Sequence, residues 1–154
     1  MKKFLIFFFF FISFSFINII SFSAEKAAKP MSPGWSFKGF FGTFDRASLQ
    51  RGYQVYTEVC ASCHSMKHLS YRNLSQPGGP EFSEDQVKII ASQFEVRDGP
   101  NDDGEMFDRP ARPSDYFVSP YANDKEATAA NGGAYPPDMS VLVKARKGGA
   151  DYIY

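Results

Sequence analysis

Two cysteines three positions apart, Cys60 and Cys63, with His64 directly behind the second, constrain this chain more than any other feature. They are the only 2 cysteines in 154 residues, so no disulfide can close a long loop and restrict the unfolded chain. Their use has to be local: a redox pair, part of a metal site, or the anchorage of a cofactor. With 12 Gly and 10 Pro the chain reads as loop-heavy, and a domain of this size gains from an internal staple.

Cysteines at i and i+3 project from one side of a helical turn. Each thiol can add across one vinyl group of a haem, giving two thioether bonds to the ring edge. His64 is then held where its imidazole can ligate the iron. The run Cys60-Ala61-Ser62-Cys63-His64 therefore reads as the attachment site of one covalent haem c. A thioredoxin-like pair would follow a buried strand in a βαβ pattern, whereas an apolar helical stripe precedes this one. Zinc would need two further ligands, and outside the pentapeptide the chain offers only His68 and no cysteine. The sixth iron ligand stays open among Met31, Met66, Met106 and Met139. Met66 is too close to His64 to wrap to the opposite face, and Met139 fits the apolar face of a helix. His68, one turn after His64, falls on the same side of the ring.

Residues 1–23 read as a signal peptide, or as an anchor if left uncleaved. Lys2-Lys3 precede an apolar run from Phe4 to Ile20, and Ser21 and Ser23 fit the −3 and −1 positions of a cleavage site. Either reading exports the chain beyond Ala24, and bacterial haem attachment occurs outside the cytoplasm. Lys plus Arg and Asp plus Glu number 17 each, with pI ≈ 6.7 and no basic block, which excludes a phosphate-tracking nucleic-acid surface. Residues 24–32 form a polar linker, and 33–154 the haem domain. Met31 to Phe37 mixes turn residues with large aromatics and reads as a segment lying on a surface.

Three helical patterns come next along the chain. Leu49, Tyr53, Tyr56 and Cys60 make one stripe on a helix from about Ala47 to Cys60, with Gly52 on that face open to close approach by another helix. Ser83 and Gln86 form a capping box for a helix from Glu84 to about Phe94, with Val87, Ile90, Ala91 and Phe94 on one face and Asp98-Gly99-Pro100 as its stop. A third runs from Met139 to Lys147, capped by Asp138 and ended by Gly148-Gly149. A weaker helical turn occupies Asp124 to Ala130. No strand pattern is convincing. The stretch Glu95, Asp98, Asp102, Asp103, Glu105 and Asp108 lacks the spacing of an EF-hand, and reads either as a solvated loop or as a negative docking patch for a basic partner.

The joint runs resemble the cytochrome c1 family. They are Arg51-Gly52-Tyr53-Gln54-Val55-Tyr56, Val59 to Met66, Tyr71-Arg72-Asn73-Leu74, Asp98-Gly99-Pro100-Asn101, Gly104-Glu105-Met106-Phe107, Ser114-Asp115-Tyr116-Phe117, Ala130 to Asp138, and Ala145-Arg146 with Gly148 to Tyr152. The resemblance implies a mainly α, class-I-like cytochrome c fold with long loops around one haem. It also implies the role of the haem subunit of ubiquinol–cytochrome c reductase, at the periplasmic face of the inner membrane. Electrons would come from the Rieske iron–sulfur protein beside cytochrome b and leave to a cytochrome c. Cys60 and Cys63 match the thioether cysteines and His64 the proximal ligand. Arg146 matches an arginine that pairs with a haem propionate, Tyr152 falls close to the propionates, and Pro136 and Pro137 match prolines near the haem edge. Asp98, Asp102, Asp103 and Glu105 match a region of cytochrome c docking. In the family a methionine ligand and a C-terminal membrane helix follow the Gly-Gly-x-Asp-Tyr segment, so a sequence given to Tyr154 reads as an incomplete member. Tyr135 stands where the family usually carries an aliphatic residue.

The expected chemistry is one-electron transfer, with no substrate bond broken and no enzyme activity of the chain by itself. Two other readings of a C-x-x-C-H chain are a free-standing soluble periplasmic cytochrome and a haem sensor or peroxidase with an open iron site.

Overall fold

The computed structural model describes residues 29–154, so the leader and the first part of the linker lie outside the described residues. Within them the chain is mainly helical with one two-stranded sheet. The elements in order are α1 (Arg46–Glu58), a 3-10 turn (Cys60–Ser62), a second 3-10 turn (Tyr71–Ser75), α2 (Glu84–Ser92), β1 (Glu95–Asp98), β2 (Phe107–Pro110), α3 (Asp124–Ala130), α4 (Leu142–Ala145) and α5 (Ala150–Ile153).

Helix α1 starts where Asp45 accepts from the Ser48 N–H at 2.7 Å, which satisfies one of the orphan donors of the first turn. It ends two residues earlier than the stripe predicts. Cys60 instead opens a tighter turn in which its carbonyl accepts from both the Cys63 N–H (3.1 Å) and the His64 N–H (2.8 Å). Gly52 has no described neighbour: a Cβ there would meet nothing within 4 Å. It lines an open apolar groove with Leu49, Tyr53 and Tyr56. Helix α2 carries the expected reciprocal Ser83/Gln86 box and buries Val87 and Ala91. Helix α3 spans the predicted Asp124–Ala130 turn, capped by Asn123.

The core joins these pieces. Tyr71 is fully buried and stacks on Phe117 at 4.6 Å and Phe94 at 5.4 Å, while Tyr56, Leu74, Val87, Ala91 and Ala111 close around it. Tyr53 and Tyr56 meet Phe117 edge-on, so α1 is held to the 71–75 turn through aromatic rings.

Two expectations are corrected. The Glu95–Asp98 segment is a strand, paired antiparallel with Phe107–Pro110 in the register Val96↔Arg109 and Arg97↔Asp108. Its four-residue strands carry charges on both faces, so alternation of apolar residues gives no signal. Ion pairs take that place: Arg97 meets Asp108 at 3.2 Å, and Arg109 binds Asp98 and, at 2.7 Å, Asp115. Gly99 turns the chain out of β1 at φ +122, where a Cβ would sit 2.9 Å from the Glu105 carbonyl oxygen. The second correction concerns the Met139–Lys147 helix, which is reduced to Leu142–Ala145. Asp138 does not cap it. Its carboxylate and the Met139 N–H are drawn to the segment after His64, which takes residues 138 and 139 out of the helix and leaves 140–141 as a turn leading into it.

The segment 31–37 has no regular element apart from a turn beginning at Ser36, and it lies along the surface with Trp35 and Phe37 half-buried. Asp151 at the start of α5 ties it down, accepting from Trp35 Nε1 (2.5 Å) and Lys38 Nζ (2.9 Å). Among the described residues no helix is long and apolar enough to cross a membrane.

Candidate haem-attachment site

The turn that ends α1 sets three donor groups side by side. Cys60 and Cys63 are free thiols, each half-buried. Cys60 packs against the core, and Cys63 lines a cavity of about 420 Å³ with Lys67, Tyr121, Tyr135 and Pro136. His64 places Nδ1 2.8 Å from the carbonyl oxygen of Pro137. A carbonyl only accepts, so Nδ1 carries the proton and Nε2 keeps its lone pair for a metal. The donor set therefore suits a haem bound through two thioethers and one imidazole: both sulfurs are unpaired and one ring nitrogen is uncommitted.

The backbone of this turn is supported from α1. Tyr56 Oη donates to the His64 carbonyl oxygen at 3.3 Å. Burial pushes the Tyr56 phenol up to about 12, so it stays protonated and keeps donating at any physiological pH.

A second support comes from the segment after Pro137. Asp138 Oδ2 accepts from Ser65 Oγ and from the Lys67 N–H, both at 2.8 Å, and Oδ1 accepts from the Ser140 N–H at 2.9 Å. The Met139 N–H donates to the Ser65 carbonyl oxygen at 2.8 Å, and the His68 N–H to Ser140 Oγ at 3.1 Å. Burial alone would raise the Asp138 carboxyl, but the hydrogen bonds from Ser140, Lys67 and Ser65 outweigh it and hold the group down to about 2. A carboxyl lowered in the folded state stabilises above its unfolded value, and that contribution fades as pH falls from about 4 to about 2. With solvent screening at this partly exposed group the effect is about 1 kcal/mol. In urea unfolding, the stability gap between the parent and Asp138→Asn should narrow by that amount over this acid range. A gap that does not change with pH would contradict the assignment.

The remaining site candidates divide. Pro136 lines the cavity beside Cys63, and Pro137 supplies the carbonyl for His64. Arg146 is exposed, has no ion pair among the described residues, and stands 5.8 Å from the ring of Tyr152. Tyr135 accepts from Lys67 Nζ at 3.3 Å, a contact an aliphatic residue would not make. Met66 and Met139 pack against the core, whereas Met31 and Met106 are exposed, and His68 is a surface residue. In the acidic stretch, Asp98 is engaged by Arg109, which holds its carboxyl below the ordinary value. Asp102, Asp103 and Glu105 are exposed on the β1–β2 loop, whose turn is shaped by Asn101 Oδ1 accepting the Asp103 and Glu105 N–H groups.

Sequence reasoning missed the roles of Ser65, Lys67 and Tyr56 in this site, and it gave Asp138 to the wrong element. The signal was Asp138 itself: directly after Pro-Pro, its position relates it to whatever the prolines face as much as to the helix beyond.

The Cytochrome C1 family matches residues 35–154. The cytochrome c1 of Rhodospirillum rubrum is 58% identical over 120 residues, covering 78% of this chain and 43% of that protein. The cytochrome b/c1 of Bradyrhizobium diazoefficiens is 54% identical over 128 residues, covering 83% of this chain and 19% of that protein. The mitochondrial cytochrome c1-2 heme protein of Solanum tuberosum is 50% identical over 131 residues, covering 85% of this chain and 49% of that protein. The chain thus spans less than half the length of these relatives, while a single family runs from Trp35 to its last residue. It belongs to the cytochrome c1 family.

Proposed function

We propose that this chain carries one covalent haem c and transfers electrons as the cytochrome c1 subunit of ubiquinol–cytochrome c reductase. The observation that carries the reading is the His64 Nδ1–Pro137 hydrogen bond beside two free thiols on a single turn. When bound, the haem supplies a one-electron Fe(III)/Fe(II) couple. Cys60 and Cys63 would hold the ring edge, and His64 would offer Nε2 to the iron while the Pro137 carbonyl fixes its tautomer. Arg146, a cation without an acidic partner among the described residues, would supply the charge to neutralise a propionate, with Tyr152 beside it. Pro136, which lines the cavity beside Cys63, and Pro137, whose carbonyl meets His64, would border the ring. Residues 1–23 export the chain, 24–32 link, and 33–154 form the haem domain at the periplasmic face of the inner membrane.

Cytochrome b and the Rieske iron–sulfur protein are the proposed neighbours within the membrane complex, and a cytochrome c is the acceptor. The test is co-isolation. Affinity purification of the chain from its native membrane should bring down cytochrome b and an iron–sulfur subunit in equal amounts. A haem-bearing chain recovered alone from the soluble fraction would instead favour a free-standing carrier.

The exposed acids Asp102, Asp103 and Glu105 support docking of a basic cytochrome c, to which Asp98 contributes less because Arg109 neutralises it. Changing the three to Asn, Asn and Gln should slow reduction of a basic cytochrome c by roughly tenfold at low salt, with little difference at high salt. Stopped-flow rates against ionic strength decide this, and equal rates at low salt reduce the loop to a solvated turn.

A further inference from the structure

The bond from His64 to Pro137 joins two segments far apart in sequence, and nothing within Pro137 itself sets its carbonyl at that distance. The neighbouring contacts do. On one side stand Ser65, Met66 and Lys67, directly after the histidine. On the other stand Asp138, Met139 and Ser140, directly after the proline. Asp138 Oδ2 spans the gap by accepting from Ser65 Oγ and the Lys67 N–H, and the Met139 N–H closes onto the Ser65 carbonyl. Oδ1 accepts from the Ser140 N–H, which fixes the carboxylate's own rotation. Ser140 then receives the His68 N–H through Oγ. These contacts pin the backbone next to Pro137 in register with the backbone next to His64.

We propose that Asp138 is a positioning residue for the iron ligand: by clamping 138–140 onto 65–68 it holds the Pro137 carbonyl on His64 Nδ1, and so sets how strongly Nε2 donates. The inference rests on the haem reading above. A hydrogen bond accepted from Nδ1–H makes the imidazole a stronger donor and favours the oxidised iron. Without the clamp the carbonyl drifts, Nδ1–H opens to water, and the reduced iron gains.

The test uses the haem-loaded full chain and three variants. Asp138→Ala removes both acceptor oxygens, Asp138→Asn keeps one, and Ser65→Ala deletes a single bond while sparing the carboxylate. At a solution potential equal to the parent's midpoint, Asp138→Ala should show a reduced-to-oxidised ratio roughly three- to tenfold higher. Asp138→Asn and Ser65→Ala should fall between it and the parent. By NMR, exchange of the His64 Nδ1 proton with solvent should accelerate in the same order. A purely structural Asp138 would lower the melting temperature and leave potential and proton exchange unchanged, which overturns the proposal. If Asp138→Ala yields no loaded protein, Ser65→Ala decides: a smaller shift in the same direction supports the clamp, and none overturns it. A parent that never acquires covalent haem removes the haem reading and this inference with it, whereas a loaded parent with indifferent variants removes the clamp alone.

Discussion

Changing Cys60 and Cys63 together to alanine leaves a polypeptide of bare-chain mass, with no haem signal after denaturing electrophoresis. The parent, exported with the maturation machinery, keeps one haem through the same treatment. The expected loss is complete because the attachment is covalent and these are the chain's only sulfurs able to form it. Each single variant retains one thioether, so it should still stain, with lower yield. His64→Ala separates attachment from ligation: the ring stays bound to sulfur while the Soret and visible bands lose the signature of an imidazole on the iron. The fold should tolerate the double change. Both cysteines are only half-buried, and trading a thiol for a methyl at such a site costs about 1 kcal/mol or less. Failure to acquire haem therefore reports lost bonds and not an unfolded chain, which circular dichroism of the variant checks. A double variant that still carries haem after denaturation would sink the site assignment.

The parts of the fold legible in the sequence share a local cause. The Ser83/Gln86 box and the Asp124–Ala130 turn are each decided by residues within one turn of each other, and the structure returns both. The pentapeptide is equally local, since its chemistry lies in three side chains on five residues. What the sequence hid depends on contacts far along the chain. Asp138 looks like a helix cap because its nearest neighbours are a helical run, yet its partners are Ser65 and Lys67, some seventy positions earlier. The β1–β2 hairpin is stabilised by charges paired across strands, which apolar periodicity cannot register. The acidic stretch likewise looked uniform, whereas Asp98 is neutralised by Arg109 and Asp108 pairs with Arg97, which leaves Glu95 and the loop residues to present free charge. In each case a side chain with two plausible partners took the distant one.

Tyr71→Ala should destabilise the protein by about 3–5 kcal/mol, a large share of the roughly 5–15 kcal/mol that holds a typical domain together. Sequence patterning gives Tyr71 no place in a core, because it lies on a short 3-10 turn with no helical or strand repeat around it. Structurally it is the centre. Its side chain is fully buried, stacked between Phe117 and Phe94, and its N–H donates to the Asp115 carbonyl at 3.1 Å. Removing the ring takes the facing surface from Phe117, and Phe117 is also the ring against which Tyr53 and Tyr56 of α1 rest. The cavity would thus loosen the helix that leads into Cys60, not merely the turn that carries Tyr71. Tyr71→Phe isolates the packing from the hydroxyl. That hydroxyl only accepts from the Val118 N–H at 3.5 Å, a weak contact, so its loss should cost about 1 kcal/mol or less. Urea unfolding of the parent and both variants measures the contrast. An alanine variant within about 1 kcal/mol of the phenylalanine variant would mean that the stacked rings are not what binds α1 to the rest of the domain. The same pair links core to site: if the rings hold α1 in place, Tyr71→Ala should acquire covalent haem poorly while Tyr71→Phe acquires it as the parent does, because Tyr56 reaches the His64 carbonyl only from a fixed helix.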